Sequence, residues 1–262
     1  MAARCSVVEE PIEATAVTHT LPYYATKLAR HGLPSKLMDE PHPATHAFKA
    51  IRDQHSMDFS HLLNTSSYVN VVFEDQEEEV AKLGMRVNLA DQTVYTQSFD
   101  LHNRTLGIVA DLWHCPEPEG EENHTFAGAC TVGSTEACLL SGLAHKFRWR
   151  QWYQRRTPGA TKASVRAILP NVVISTQFQA AWEKFFKYMD VQPKFVTPSI
   201  KDFKLTASGV EAAIDEHTLF VVCILGNHYG GQYDPVWEIN DVVERVNQEK
   251  GFQVGIHVDA AS

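Results

Sequence analysis

Val254-Gly255-Ile256-His257-Val258-Asp259-Ala260-Ala261-Ser262 reads as a strand that delivers an aspartate at its C-terminal end. α/β folds place ligand chemistry outside the C-terminal ends of their strands. Working back, Leu219-Phe220-Val221-Val222-Cys223-Ile224 is apolar at every position, as expected for a strand covered on both faces. Val172-Val173-Ile174 is a shorter run of the same kind. Helical patterns lie between them. Ala180 to Met189 carries Trp182, Phe185 and Met189 on one side. Ser208-Gly209-Val210-Glu211 reads as a capping box ahead of a short helix. Asp234-Pro235 starts a helix with Pro at its first position, Val236, Ile239, Val242, Val243 and Val246 inward, and a stop at Gly251. Upstream, Gly133-Ser134-Thr135 opens a long helix on which Ala137, Leu140, Leu143, Ala144 and Phe147 share one face. The alternation predicts an α/β fold, a mostly parallel sheet with crossover helices. A domain normally continues past a strand such as 254–258. The expectation is therefore the front part of a larger protein, with an unfinished sheet edge and poor stability in isolation.

Ahead of Thr131 the rhythm differs. Residues 1–57 are rich in Pro and His, and Asp39-Glu40-Pro41-His42-Pro43 breaks any regular element before a short helix at Ala44–Arg52. They are expected to form an N-terminal arm, partly disordered, with residues 58–262 forming the N-terminal part of the α/β domain. Residues 58–120 look mainly helical. An acidic start at Glu74–Glu79 suits one helix N-terminus, and Leu106, Val109, Ala110 and Trp113 lie at helical spacing in the next.

Composition narrows the function classes. Hydrophobic content of 44% and charged content of 21% fit a soluble globular protein. A net charge of -9 with pI ≈ 5.8 argues against nucleic acid as a partner, because phosphate neutralisation needs a basic face. No long uncharged apolar run suggests a membrane span. The five cysteines form no CxxC pair, so neither zinc nor a disulfide frame is indicated, and a cytoplasmic, reducing setting is expected. His42, His46 and His55 lack tight metal spacing. Arg148, Arg150, Arg155 and Arg156 read as a solvated helix end or a subunit contact.

Two elements carry chemistry. At Gly133-Ser134-Thr135, unpaired N–H groups and a positive helix dipole meet two hydroxyls. That suits a phosphate, although an ordinary helix cap would need only one of those residues. Asp259 at a buried strand end calls for a cation; a partly solvated loop acid is the alternative.

Taken together, Thr131-Val132-Gly133-Ser134-Thr135-Glu136-Ala137, Gln179 before Trp182-Glu183-Lys184-Phe185, and His257-Val258-Asp259-Ala260-Ala261 resemble the group II pyridoxal-phosphate decarboxylases, with glutamate decarboxylase the nearest member. Ala110-Asp111-Leu112-Trp113-His114-Cys115-Pro116 and Phe147-Arg148-Trp149-Arg150 are similar to further stretches of that family. The likeness runs from about residue 58 to Ser262 and covers the N-terminal half of a family member.

The resemblance implies the large domain of the aspartate-aminotransferase type (fold type I) and pyridoxal 5'-phosphate as cofactor. It also implies an amino-acid substrate and a homodimer or higher homo-oligomer. Ser134 and Thr135 would hold the phosphate. Gln179 would lie against the pyridine ring, Asp259 would pair with the ring nitrogen, and Ala261 would pack under the ring. Asp91 aligns with the family's acid near the substrate side-chain carboxylate; a surface loop acid is the other reading. His228 stands where the family commonly has a Thr contacting the phenolic oxygen. Asn70-Val71-Val72-Phe73 lacks the hydroxyl usual in the substrate-carboxylate segment. The family's Schiff-base lysine would lie a few tens of residues beyond Ser262. The expected reaction is decarboxylation of L-glutamate to 4-aminobutanoate by the full-length parent. The alternatives are an inactive fragment or a different substrate: aspartate, an aromatic amino acid or a sphingoid phosphate.

Overall fold

Short runs, apolar and β-branched in the two central strands, pair side by side into one parallel sheet in the computed structural model. It describes residues 36–37, 43–58, 60–63, 73–116 and 126–261. Asn70–Val72 and His42 lie outside these. The chain divides into two compact units, Met1–Val72 and Phe73–Ser262. The first holds helix α1 (Ala44–His55), which runs one turn past the expected Arg52 and buries no residue. The second opens with α2 (Asp75–Gly84), where Glu74 and Glu77 form a capping box, and α3 (Thr96–Leu112). Then follow α4 (Ser134–Arg156), α5 (Lys162–Arg166), β1 (Asn171–Ser175), α6 (Ala180–Met189), β2 (Gln192–Val196), α7 (Ala207–Ala213), β3 (Thr218–Ile224), α8 (Val236–Lys250) and β4 (Gly255–Asp259). No helix among the described residues is long and apolar enough to cross a membrane.

All strand pairs are parallel, in the order β2-β1-β3-β4. Every residue of β1 and β3 is buried, because helices cover both faces. Val172, Ile174, Phe220 and Val222 join Trp149, Trp182, Phe185 and Phe186 on the α4/α6 face. Val173, Val221 and Cys223 join Val210, Ile239, Val243 and Val246 on the α7/α8 face. From β1 the chain goes to β2 on one side, then crosses back to β3 and β4 on the other. The sheet thus has a switch point between β1 and β3, where open α/β sheets form their ligand crevice.

Several sequence expectations need correction. The inward residues of α4 are Cys138, Gly142, Lys146 and Trp149, whereas Ala137, Leu140, Ala144 and Phe147 are exposed. Apolar side chains on both sides made the periodicity ambiguous, and packing selected the other face. Gly142 admits α6 so closely that a Cβ there would sit 2.0 Å from Phe185 Cε2. Trp149 Nε1 donates to Glu216 O at 2.9 Å, and Lys146 Nζ donates to Met189 O. The cap of α7 is Thr206, whose hydroxyl accepts from Gly209 N, not Ser208. Pro235 is the residue before α8 rather than its first, and Gly251 ends that helix at φ 64°, a left-handed conformation that suits glycine. Arg156 is not merely solvated: its guanidinium donates to Gly251 O and lies over the Trp152 and Phe252 rings. Strand β2 was not foreseen, because Pro193 interrupts it; an edge strand tolerates Pro.

At the N-terminal end of the sheet, Asp215 accepts hydrogen bonds from Lys194 Nζ, Asn171 Nδ2 and His217 N. Burial pushes its pKa up, but these donors outweigh burial and bring it down to about 2. A carboxyl depressed in the folded state stabilises fully above its unfolded value of about 3.9 and loses that contribution as pH falls through the folded one. Urea midpoints measured against pH should therefore fall between about 4 and about 2. In Asp215→Asn that slope should flatten; an unchanged slope would remove Asp215 as its source.

Candidate active site

The contacts of α4 with β4 fix where its N-terminus lies. His145 packs over Gly255, where a Cβ would lie 2.4 Å from its ring. One turn earlier, Ser141 Oγ meets His257 Nδ1 at 2.7 Å. Another turn earlier, Cys138 lies within the field of Asp259. The helix thus runs antiparallel to the strand, and Ser134, one turn before Cys138, lies towards the C-terminal edge of the sheet. The first N–H of α4 to find a helical acceptor is that of Ala137, which bonds Gly133 O at 3.2 Å. The N–H groups of Ser134, Thr135 and Glu136, and the hydroxyls of Ser134 and Thr135, have no acceptor among the described residues. Glu136 turns back to accept from Val132 N at 2.9 Å, and a Cβ on Gly133 would meet nothing within 4 Å. Such a helix start attracts an anion.

Asp259 ends β4, with its carbonyl accepting from Leu225 N at 2.8 Å. Its Oδ2 accepts the indole N–H of Trp182 at 2.8 Å, and its Oδ1 accepts from Ala261 N at 3.3 Å. Ala261 itself is exposed. The carboxylate keeps acceptor capacity towards the sheet edge. Beneath it lies an uncharged layer. Burial, then Asp259, pushes the Cys138 thiol up to about 12. Burial, then His257 and Arg148, brings His145 down to about 4. Burial lowers the His257 pKa against the opposing pull of Asp259.

Gln179 stands between β1 and α6 and caps that helix, its Oε1 accepting from Ala181 N at 2.6 Å. His228 lies half-buried in the loop after β3, edge-on to Tyr229 at 5.3 Å. The same loop is tied across the switch point by Asn227 Nδ2, which donates to Gln177 O at 3.1 Å. Buried Asp234 closes the loop's other end by accepting from Ile224 N and Leu205 N. Ser134, Thr135, Gln179, His228, Asp259 and Ala261 thus belong to loops and helix starts on one side of the sheet.

Asp91 stands apart from these contacts. Its Oδ1 accepts from Thr93 Oγ1, Thr93 N and Val94 N in an exposed turn before α3. Those bonds, led by the Thr93 hydroxyl, hold its carboxyl below the usual range. Sequence reasoning assigned Trp182 to the core and missed its tie to Asp259. A signal existed, since a buried indole needs an acceptor. Asn227 carried no signal of its own. Among the described residues, no group of three His, Cys, Asp or Glu side chains could hold a metal ion.

Residues 44–262 match the family model of the pyridoxal-dependent decarboxylase conserved domain. Glutamate decarboxylase beta of Listeria innocua is 34% identical over 226 residues, which is 86% of this chain and 47% of that protein. Glutamate decarboxylase of Petunia hybrida is 32% identical over 91% of this chain and 46% of its own length. The chain spans about half the length of the curated relatives it matches. Among solved structures, Lactobacillus brevis glutamate decarboxylase superposes with TM-score 0.79 at 36% identity, covering 92% of this chain and 53% of that one. Oryza sativa TDC with PLP shares the fold at TM-score 0.65 and 16% identity, over 94% of this chain and 54% of its own. The architecture is that of the large domain of PLP-dependent enzymes.

Proposed function

The chain belongs to the pyridoxal-dependent decarboxylase family, and from that premise we propose that the full-length parent decarboxylates L-glutamate to 4-aminobutanoate and carbon dioxide. The observation that carries the reading is an open anion cradle at the start of α4 and the carboxylate of Asp259 on one edge of a parallel sheet. That donor set fits pyridoxal 5'-phosphate, which has an anionic phosphate at one end and a basic ring nitrogen at the other. The cofactor supplies an electron sink for the bond to the departing carboxylate.

This chain's residues bind and orient. The N–H groups and hydroxyls of Ser134 and Thr135 hold the phosphate, aided by the helix dipole. Asp259 keeps a proton on the ring nitrogen by offering it a fixed negative charge. Gln179 and Ala261 flank the ring, and His228 donates to its phenolic oxygen. Asp91, which stands apart from the sheet edge, would meet the substrate side chain only through its Oδ2, since its Oδ1 is committed to the local turn. Homodimerisation belongs to the same proposal. Leu101, Ile108 and Leu112 form an exposed apolar stripe on α3, the kind of surface that subunits cover.

Carbon dioxide release from glutamate, aspartate and aromatic amino acids, measured on the full-length parent with pyridoxal phosphate present, tests the substrate. Glutamate should exceed the others by roughly tenfold or more, since a site built to bond a carboxylate rejects the aromatic side chains that lack one, and aspartate is one methylene too short to place its own. Preferential turnover of another amino acid would replace glutamate, and release from none would remove the reading.

A further inference from the structure

Trp182 is 0% exposed, and its one polar atom is aimed at the end of β4, 77 residues away in sequence. We propose that Trp182 is a positioning residue for the cofactor, its indole N–H holding the Asp259 carboxylate in the orientation that meets the pyridine nitrogen. This rests on the assignment of Asp259 to that nitrogen.

A carboxylate turns readily about its last torsion, whose energy wells are broad. The main chain of Asp259 is fixed by its pairing with Ile224 and by Leu225 N. Its side chain is held by two donors. The bond from Ala261 N is long at 3.3 Å and comes from a neighbour on the same exposed segment. The bond from Trp182 is 2.8 Å and comes from the core.

The indole cannot drift. It meets His257 edge-on at 4.8 Å, Phe185 at 5.7 Å and Phe220 at 6.1 Å, and Ser141 Oγ fixes His257 from α4. One aromatic layer therefore connects α4, α6, β3 and β4 to a single oxygen of the site.

The chemistry of the donor matters as much as its place. An indole N–H donates only and takes up no proton near neutral pH. It stabilises the charged carboxylate without competing for the proton that belongs on the ring nitrogen. A histidine in its place would compete.

Trp182→Phe keeps an aromatic ring in the layer and deletes the donor. Pyridoxal phosphate affinity would be measured by equilibrium dialysis in the wild type, Trp182→Phe, Asp259→Asn and the double variant. The ring-nitrogen signal of ¹⁵N-labelled cofactor would be followed against pH in each. Trp182→Phe should weaken binding about tenfold, the scale of one hydrogen bond to a charged group. It should also lower the pH at which the ring nitrogen loses its proton. In the Asp259→Asn background it should do neither. Equal losses in both backgrounds would mark Trp182 as structural only and overturn the inference. If Asp259→Asn weakens binding while Trp182→Phe does not, the inference alone fails. If Asp259→Asn changes neither affinity nor signal, the Asp259 assignment fails as well. Should Trp182→Phe not fold, replacing Trp182 with benzothienylalanine, which has the same shape and lacks the N–H, carries the same comparison.

Discussion

Asp259→Ala is expected to reduce decarboxylation by about three orders of magnitude, the upper end of what loss of one preorganised electrostatic group produces. Without a negative charge at the end of β4, the pyridine nitrogen loses its proton near neutral pH, and a neutral ring accepts electrons poorly. Phosphate capture at α4 would not depend on Asp259, so cofactor affinity should fall less, by about a hundredfold. The substitution also leaves Trp182 Nε1 without its acceptor, so a modest loss of stability accompanies it. Rates of carbon dioxide release, set beside cofactor affinity and thermal melting of the same preparations, separate the three effects. Activity within tenfold of wild type would remove Asp259 from the chemistry.

The second large effect is structural. A methyl group at position 142 would lie 2.0 Å from Phe185 Cε2, 2.6 Å from Cζ and 2.8 Å from Cδ2. The ring cannot swing aside, because Trp182, Phe186 and Phe220 surround it at 5.5 to 5.9 Å and it is 0% exposed. Helix α4 must then move away from α6, opening the layer beneath His257 and Asp259. Gly142→Ala should destabilise by about 2–3 kcal/mol despite the better helix propensity of alanine, at the upper end for overpacking. For a domain of this size that lowers the melting temperature by roughly 5–10 °C. Gly133→Ala is the control: its Cβ meets nothing and its φ of 170° is ordinary extended backbone, so melting should not change. A Gly142→Ala protein that melts like wild type would show that the two helices have room to spare.

Residues whose environment is set by neighbours in sequence were the ones that could be read from it. β3 declared its two covered faces by an unbroken apolar run, and Gly251 declared the end of α8. The start of α4 was legible because its chemistry is local: a glycine, two hydroxyls and a helix. The inward face of α4 was not, because it is built from a cysteine, a glycine, the stem of a lysine and a tryptophan. None of these stands out against Leu140 and Phe147 on the outside. Gly142 acquires its meaning only from Phe185, 43 positions later. β2 was hidden by Pro193 and Lys194, residues that an edge position tolerates and a central strand would not. The place of Asp259 at a strand end was legible, but its tie to Trp182 was not, nor was the bond from Asn227 to Gln177, since both act across distances in sequence that no local pattern records.

The tie between Trp182 and Asp259 also bears on the order in which the molecule matures. During synthesis the anion cradle at residue 134 emerges first and the indole about fifty residues later. The Asp259 carboxylate follows 77 residues after the indole, on a strand that pairs with β3. Long-range parallel pairing of this kind is slow, because the intervening loops must close before any contact rewards them. On the proposed assignment, the residues that would grip phosphate therefore emerge before those that would control the ring. On the proposed assignment, cofactor arriving early would be held by one end, and its ring would be met only once β4 pairs with β3, which makes ring capture a marker of that pairing.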